Sequence, residues 1–147
     1  MTRQDVVQSH LETLMERYLG TDDLQIDEDG GIPVAYRSAV YRVRVLPGEK
    51  PHVDITAAMI SDIDPDPGLY EALNELNSRL SHARAFWDGG VVVLAAELVG
   101  LGMDVDDLEC TCGEIAVTAH RQGPRLAKTF GGTVANPAEA GDDVVEQ

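Results

Sequence analysis

The run Val91-Val92-Val93-Leu94-Ala95-Ala96 constrains this chain more than any other stretch, because it leaves neither face of a strand polar. A strand that is apolar on both sides has to be covered on both, here by helices on one face and by another subunit on the other. The residues before it, Ala85-Phe86-Trp87 and the turn Asp88-Gly89-Gly90, make it the second arm of an antiparallel hairpin. The rest of the sequence must therefore supply a helical layer and the remaining strands of a sheet.

Three segments carry a helical period. From about Gln4 to Leu19, Val7, Leu11, Leu14, Met15 and Tyr18 fall on one face, with Thr2 placed to cap the start and Gly20 to end it. A second helix starts after Asp66 as N-cap and Pro67 as first helical residue, with the stripe Leu69, Leu73, Leu76 and Leu80. A third follows the acidic start Asp104-Val105-Asp106-Asp107 and buries Val105, Leu108, Cys112, Ile115 and Ala119. Gly123-Pro124 is expected to end or kink it.

Between the first two helices, apolar residues alternate with polar or small ones three times. Ile32, Val34 and Tyr36 form one run, Tyr41, Val43 and Val45 the next, and Val53, Ile55, Ala57 and Met59 the third. Period 2 of this kind predicts an antiparallel meander with a partly wet face, on which Arg42 and Arg44 face Asp54. Pro33 has no N–H to give to a ladder, so its strand begins there or lies at a sheet edge. The predicted order is α-β-β-β-α-β-β-α, an α+β domain over residues 1–131. The Ala-, Asn-, Pro- and acid-rich residues 132–147 are expected to be a disordered acidic tail.

Composition narrows the function classes. The 147 residues hold 26 acidic and 11 basic side chains, a formal charge of −15, which repels nucleic acid and anionic membrane and favours a basic or apolar partner. No apolar run is long enough to span a bilayer, and a cytoplasmic location is expected. Cys110 and Cys112 are too close for a normal disulfide and diverge on a helix, so they read as helix-packing residues rather than as a metal or redox site with His120. His10, His52, His82 and His120 lie on different elements beside no nucleophile motif and are expected at the surface. Asp62, Asp64 and Asp66 imitate a calcium loop, but Pro67 and Leu73 stand where its glycine and closing glutamate belong. The Gly-Gly pairs lack a phosphate-loop context. No cofactor, metal or catalytic residue is expected.

Two features admit opposed readings. Asn74 and Asn77, poor helix-interior residues, either hydrogen-bond across an interface or are exposed polar residues flanking the leucine stripe. Phe86 and Trp87 point to opposite faces of a strand. Either one fills the core and the other serves an interface, or both are covered by the chain's own helices.

In this order, Ile32-Pro33-Val34-Ala35-Tyr36, Ala39-Val40-Tyr41-Arg42-Val43, Ala72-Leu73-Asn74-Glu75-Leu76-Asn77 and Ala83-Arg84-Ala85-Phe86-Trp87 resemble the YbjN-domain family of bacteria. That family is similar in fold to the dimeric chaperones of type III secretion, and the resemblance covers about residues 4–130. It implies a type III secretion chaperone-like α+β fold, homodimerisation and a peptide-binding role. The expected function is that of a non-enzymatic, dimeric protein- or peptide-binding module. The alternatives are a regulatory subunit of a larger assembly or a small enzyme with carboxylate chemistry. Val34, Tyr36, Phe86 and Trp87 are the candidate peptide-binding residues. Asn74, Asn77, Val92, Val93 and Leu94 are the candidate dimer interface.

Overall fold

The computed structural model describes residues 2–140. Its elements run α1 Arg3–Leu19, β1 Ile32–Tyr36, β2 Ala39–Leu46, β3 His52–Ile60, α2 Pro67–Asn77, β4 Arg84–Asp88, β5 Val91–Val99 and α3 Val105–Phe130, with a short 3-10 turn at Pro137–Glu139. The helix starts are capped as their sequences dictate. Thr2 and Asp5 form a reciprocal capping box on α1, Asp66 accepts from the Gly68 N–H, and Asp104 accepts from the Asp107 N–H.

The five strands form one antiparallel sheet in the order β1-β2-β3-β5-β4. Side chains alternate across it, so one face carries Ile32, Tyr41, Val43, Val45, Val53, Ile55, Ala57, Ala85, Val92, Leu94 and Ala96, all buried. All three helices lie on that face. Val7, Leu11, Leu14 and Met15 from α1, Leu69, Leu73 and Leu76 from α2, and Leu108, Cys112, Ile115 and Ala119 from α3 join it in one core. Among the described residues no helix covers the opposite face. There Arg42 reaches back to Asp27 at 3.0 Å and Asp29 at 2.5 Å, pinning the α1–β1 connection, while Arg44 stands opposite Asp54 as its register requires.

Three expectations are corrected. α3 does not stop at Gly123-Pro124 but continues to Phe130. Gly123 lets the helix lie tight on β3, since a Cβ there would sit 3.1 Å from the Met59 carbonyl. The carbonyl that Pro124 leaves without its usual helical donor, that of His120, has the Ser38 hydroxyl 3.4 Å away. His120 is therefore no surface residue. It is 1% exposed, with Nδ1 2.6 Å from Ser38 Oγ and accepting from the Ser38 N–H at 3.3 Å, which joins α3 to the β1–β2 turn.

The third correction concerns the C-terminal segment, which packs on the body as far as Ala140. Thr133 and Ser61 exchange two backbone hydrogen bonds of 2.8 Å. Val134 is buried, and Asn136 donates from its backbone to Ser38 O and from its side chain to Arg37 O, both at 3.1 Å. Composition hid this, because few fixed backbone contacts order the segment rather than an apolar stripe. The rest of the expected tail, residues 141–147, lies outside the described residues. Ending the chain at Gly132 removes these bonds and the Val134 contact, and should cost about 2 kcal/mol in chemical denaturation. An unchanged denaturation midpoint would show that the segment contributes nothing.

Candidate functional site

A five-stranded open sheet has two edges, and this chain treats them differently. In an antiparallel hairpin with a two-residue turn the closing pair is hydrogen-bonded, and from there bonded and outward-facing residues alternate. For β4 and β5 the closing pair is Asp88 with Val91, so Ala85 and Trp87 turn their backbone groups to the edge. Asn77, at the end of α2, takes both groups of Ala85, accepting from its N–H at 2.7 Å and donating to its carbonyl at 3.0 Å. Glu114 of α3 accepts from the N–H groups of Ser81, His82 and Ala83 at 2.9, 2.8 and 2.7 Å. Burial pushes the Glu114 carboxyl up, but these backbone donors outweigh it and hold it below the usual glutamate value. Side chains of the same chain thus close the β4 edge as far as Ala85, and the backbone groups of Trp87, next to the turn, have no partner among the described residues.

The β1 edge has no such closure. The pair Tyr36–Ala39 closes its hairpin, so Val34 and Ile32 bond to β2 while Pro33 and Ala35 face outward. The Ala35 N–H and the carbonyls of Pro33 and Ala35 have no partner among the described residues. Beside this edge, on the helix side, lie half-buried Val34, Tyr36 at 36% exposure and half-buried Tyr18. Tyr36 meets the His120 ring edge-on at 5.9 Å, which fixes it at the rim of the core. Burial pushes the Tyr41 hydroxyl, behind this rim, above its ordinary range, and raises the Cys112 thiol to about 12, so both are neutral packing groups.

The second exposed feature is the helix-free face of the sheet. Register places Phe86 beside Val93, Val93 beside Ala58, and Val40 beside Ala35, with Val40 and Ala58 one step beyond the Tyr41–Ala57 pair. An apolar row therefore crosses all five strands, and Phe86 and Val40 are 36% and 37% exposed along it. Two rows further on, Asp54 stands opposite Glu97. Burial first, and then the Glu97 charge, raise the Asp54 carboxyl.

These positions sort the residues singled out from sequence. Val34 and Tyr36 lie together at the β1 edge. Trp87 turns inward, donating from Nε1 to Ile63 O at 2.9 Å, while Phe86 turns outward under the Arg84 guanidinium; the pair is at the far end of the sheet from β1. Val92 and Leu94 are corrected as interface residues, because both are wholly buried in the chain's own core. Val93 is on the open face. Asn74 is exposed on α2, whereas the amide of Asn77 is engaged with Ala85 in the same chain. Glu114, Ala35 and Asn136 were missed, for their roles depend on long-range placement. Among the described residues no group of His, Cys, Asp and Glu side chains could hold a metal ion, and no helix is long and apolar enough to cross a membrane.

Residues 5–138 match the family described as TY-Chap1, "T3SS (YopN, CesT) and YbjN peptide-binding chaperone 1". No curated protein is similar in sequence. Among solved structures, the ExsC-ExsE complex aligns with a TM-score of 0.59 at 18% identity, covering 76% of this chain and 90% of the other. The Yersinia pestis type III secretion chaperone SycH, in complex with a stable fragment of YscM2, gives 0.55 at 20%, covering 74% and 95%. The ExoU-SpcU heterodimer of the Pseudomonas aeruginosa type III secretion system gives 0.58 at 17%, covering 78% and 95%. At these identities the likeness is one of fold.

Closure of the β4 edge is measurable. Asn77→Ala leaves the Ala85 N–H and carbonyl without their partners and should destabilise the fold by about 1–3 kcal/mol in urea denaturation. Glu114 has a depressed folded-state pKa, so its contribution is complete above the ordinary value of 4.5 and is lost as pH falls through the lower folded value. Glu114→Gln should flatten that acid limb. An acid limb unchanged from wild type would show that the three backbone bonds do not depend on the charge.

Proposed function

This chain belongs to the TY-Chap1 family of peptide-binding chaperones, and from that premise we propose that it takes up an extended segment of another polypeptide as a sixth strand along β1. It is a non-enzymatic module with the α-β-β-β-α-β-β-α secretion-chaperone fold. The observation that carries the reading is the asymmetry of the edges. Asn77 and Glu114 occupy the β4 edge from Ala83 to Ala85 and leave a strand only the Trp87 groups beside the turn, while the Ala35 N–H and the Pro33 and Ala35 carbonyls remain open beside Val34 and Tyr36. An edge left unpaired invites a strand, and other proteins blunt theirs. The similar structures contain a second protein, which supports a polypeptide as the partner. With a charge of −15, the chain favours a segment that alternates apolar and basic residues, and it acts in the cytoplasm.

The reading extends to a homodimer formed through the helix-free sheet face. Phe86, Val93, Ala58 and Val40 give that face an apolar row of the kind that soluble monomers seldom leave bare. A two-fold axis would let one self-complementary surface cover it in both copies.

Two substitutions separate these surfaces. Ala35→Pro removes the one N–H that the edge offers, at a position where it makes no bond to β2. It should abolish binding of a fluorescent peptide of about nine alternating Val and Lys residues, a common strand length, without unfolding the protein. Unaltered binding would exclude strand addition at β1. Val93→Lys should give a folded monomer by light scattering, whereas Val92→Lys, in the core, should unfold the chain. A wild-type protein that is monomeric at micromolar concentration would contradict the dimer.

A further inference from the structure

We infer that residues 133–140 form the far wall of the peptide cleft, so that a bound strand lies between β1 and the chain's own C-terminal segment. The inference rests on strand addition at β1. Between Ala35 and Arg37 on one side and Ala135, Pro137, Ala138 and Glu139 on the other there is a cleft of about 660 Å3. Its position is what matters. Ala35 carries the unpaired edge groups, so the cleft continues the open edge to the tip of the hairpin.

The segment is fastened beside the edge and not on it. Thr133 is locked to Ser61, and Asn136 holds the carbonyls of Arg37 and Ser38 in the turn. None of these bonds uses the Ala35 N–H, the Ala35 carbonyl or the Pro33 carbonyl. The segment is therefore a wall that leaves the ladder positions free, since a self-pairing strand would occupy them. Its own surface suits that role, because Pro137 has no N–H and the side chains of Ala135 and Ala138 are single methyl groups that offer apolar side contacts to an incoming strand.

The occupant is a short extended segment of net positive charge. On the helix side its apolar residues meet Val34 and Tyr36. At the cleft end Glu139 stands on the wall, and at the other end of β1 the turn carries Glu28 beside Asp27 and Asp29, which are paired with Arg42. Arg37, the cation of the cleft, lies over the Tyr36 ring at 5.9 Å.

The test uses the full-length chain and the same alternating Val-Lys peptide, read by fluorescence anisotropy. Ala138 is exposed, so Ala138→Trp fills the cleft without entering the core and should weaken binding about tenfold or more at an unchanged melting temperature. Asn136→Asp sets a carboxylate against the Arg37 carbonyl in place of a donor, and should weaken binding about three- to tenfold. If both variants bind as wild type while Ala35→Pro abolishes binding, the wall is overturned and strand addition stands. Tighter binding by Asn136→Asp would also overturn it, since the segment would then be an obstruction. Peptide that fails to bind wild type, or that binds Ala35→Pro equally well, overturns strand addition and the wall with it. Should Asn136→Asp not fold, Ala138→Trp decides alone.

Discussion

Every backbone N–H and carbonyl in a sheet needs a partner, and at the two outermost strands the sheet itself cannot supply one. The placement of much of this molecule follows from how that shortage is met. At β4 it is met as far as Ala85 by Asn77 at the end of α2 and Glu114 midway along α3, so the helices that cover the core also shield most of that edge. At β1, among the described residues, it is met only at the hairpin tip, where Ser38 engages His120 and Asn136 holds the turn carbonyls. The middle of β1 is left with its groups free. An edge that is firmly anchored at one end and unpaired along its length is preorganised for a strand, because the cost of ordering it has been met in folding.

One-sided packing is the second constraint. With all three helices on one face, the period-2 alternation of β2 and β3 sends their apolar residues to the core and leaves Arg42, Arg44 and Asp54 on the other. β5 breaks the rule, for Val91 and Val93 are apolar yet lie on the face without helices. The sheet therefore offers two kinds of surface, a polar-backbone edge at β1 and an apolar row on the helix-free face.

Much of the fold was legible in the sequence because its signals are local. The spacing of Val7, Leu11 and Leu14, the alternation of Val53, Ile55 and Ala57, and the caps Thr2, Asp66 and Asp104 each report on their own neighbourhood. Pro33 similarly marked an edge strand through its missing N–H. What sequence could not show was set by contacts far apart in the chain. The run through Pro124 depends on Gly123 against Met59 and on Ser38 near the His120 carbonyl. Likewise nothing near Asn77 reveals that its amide matches the Ala85 backbone, and nothing near Val92 says which side of β5 faces the helices. The ordered residues 133–140 were read as tail because hydrogen bonds to Ser61, Arg37 and Ser38 leave no periodic trace.

The central claim is that β1, and not β4, receives the partner strand. Amide hydrogen exchange at Ala35 and Ala85 tests it most directly, measured on the same sample with and without bound peptide. In the free protein the Ala35 amide should exchange fast and the Ala85 amide, bonded to Asn77, slowly. Binding should protect Ala35 and leave Ala85 as it was. A bound peptide that leaves the Ala35 amide exchanging as fast as before would contradict strand addition at β1.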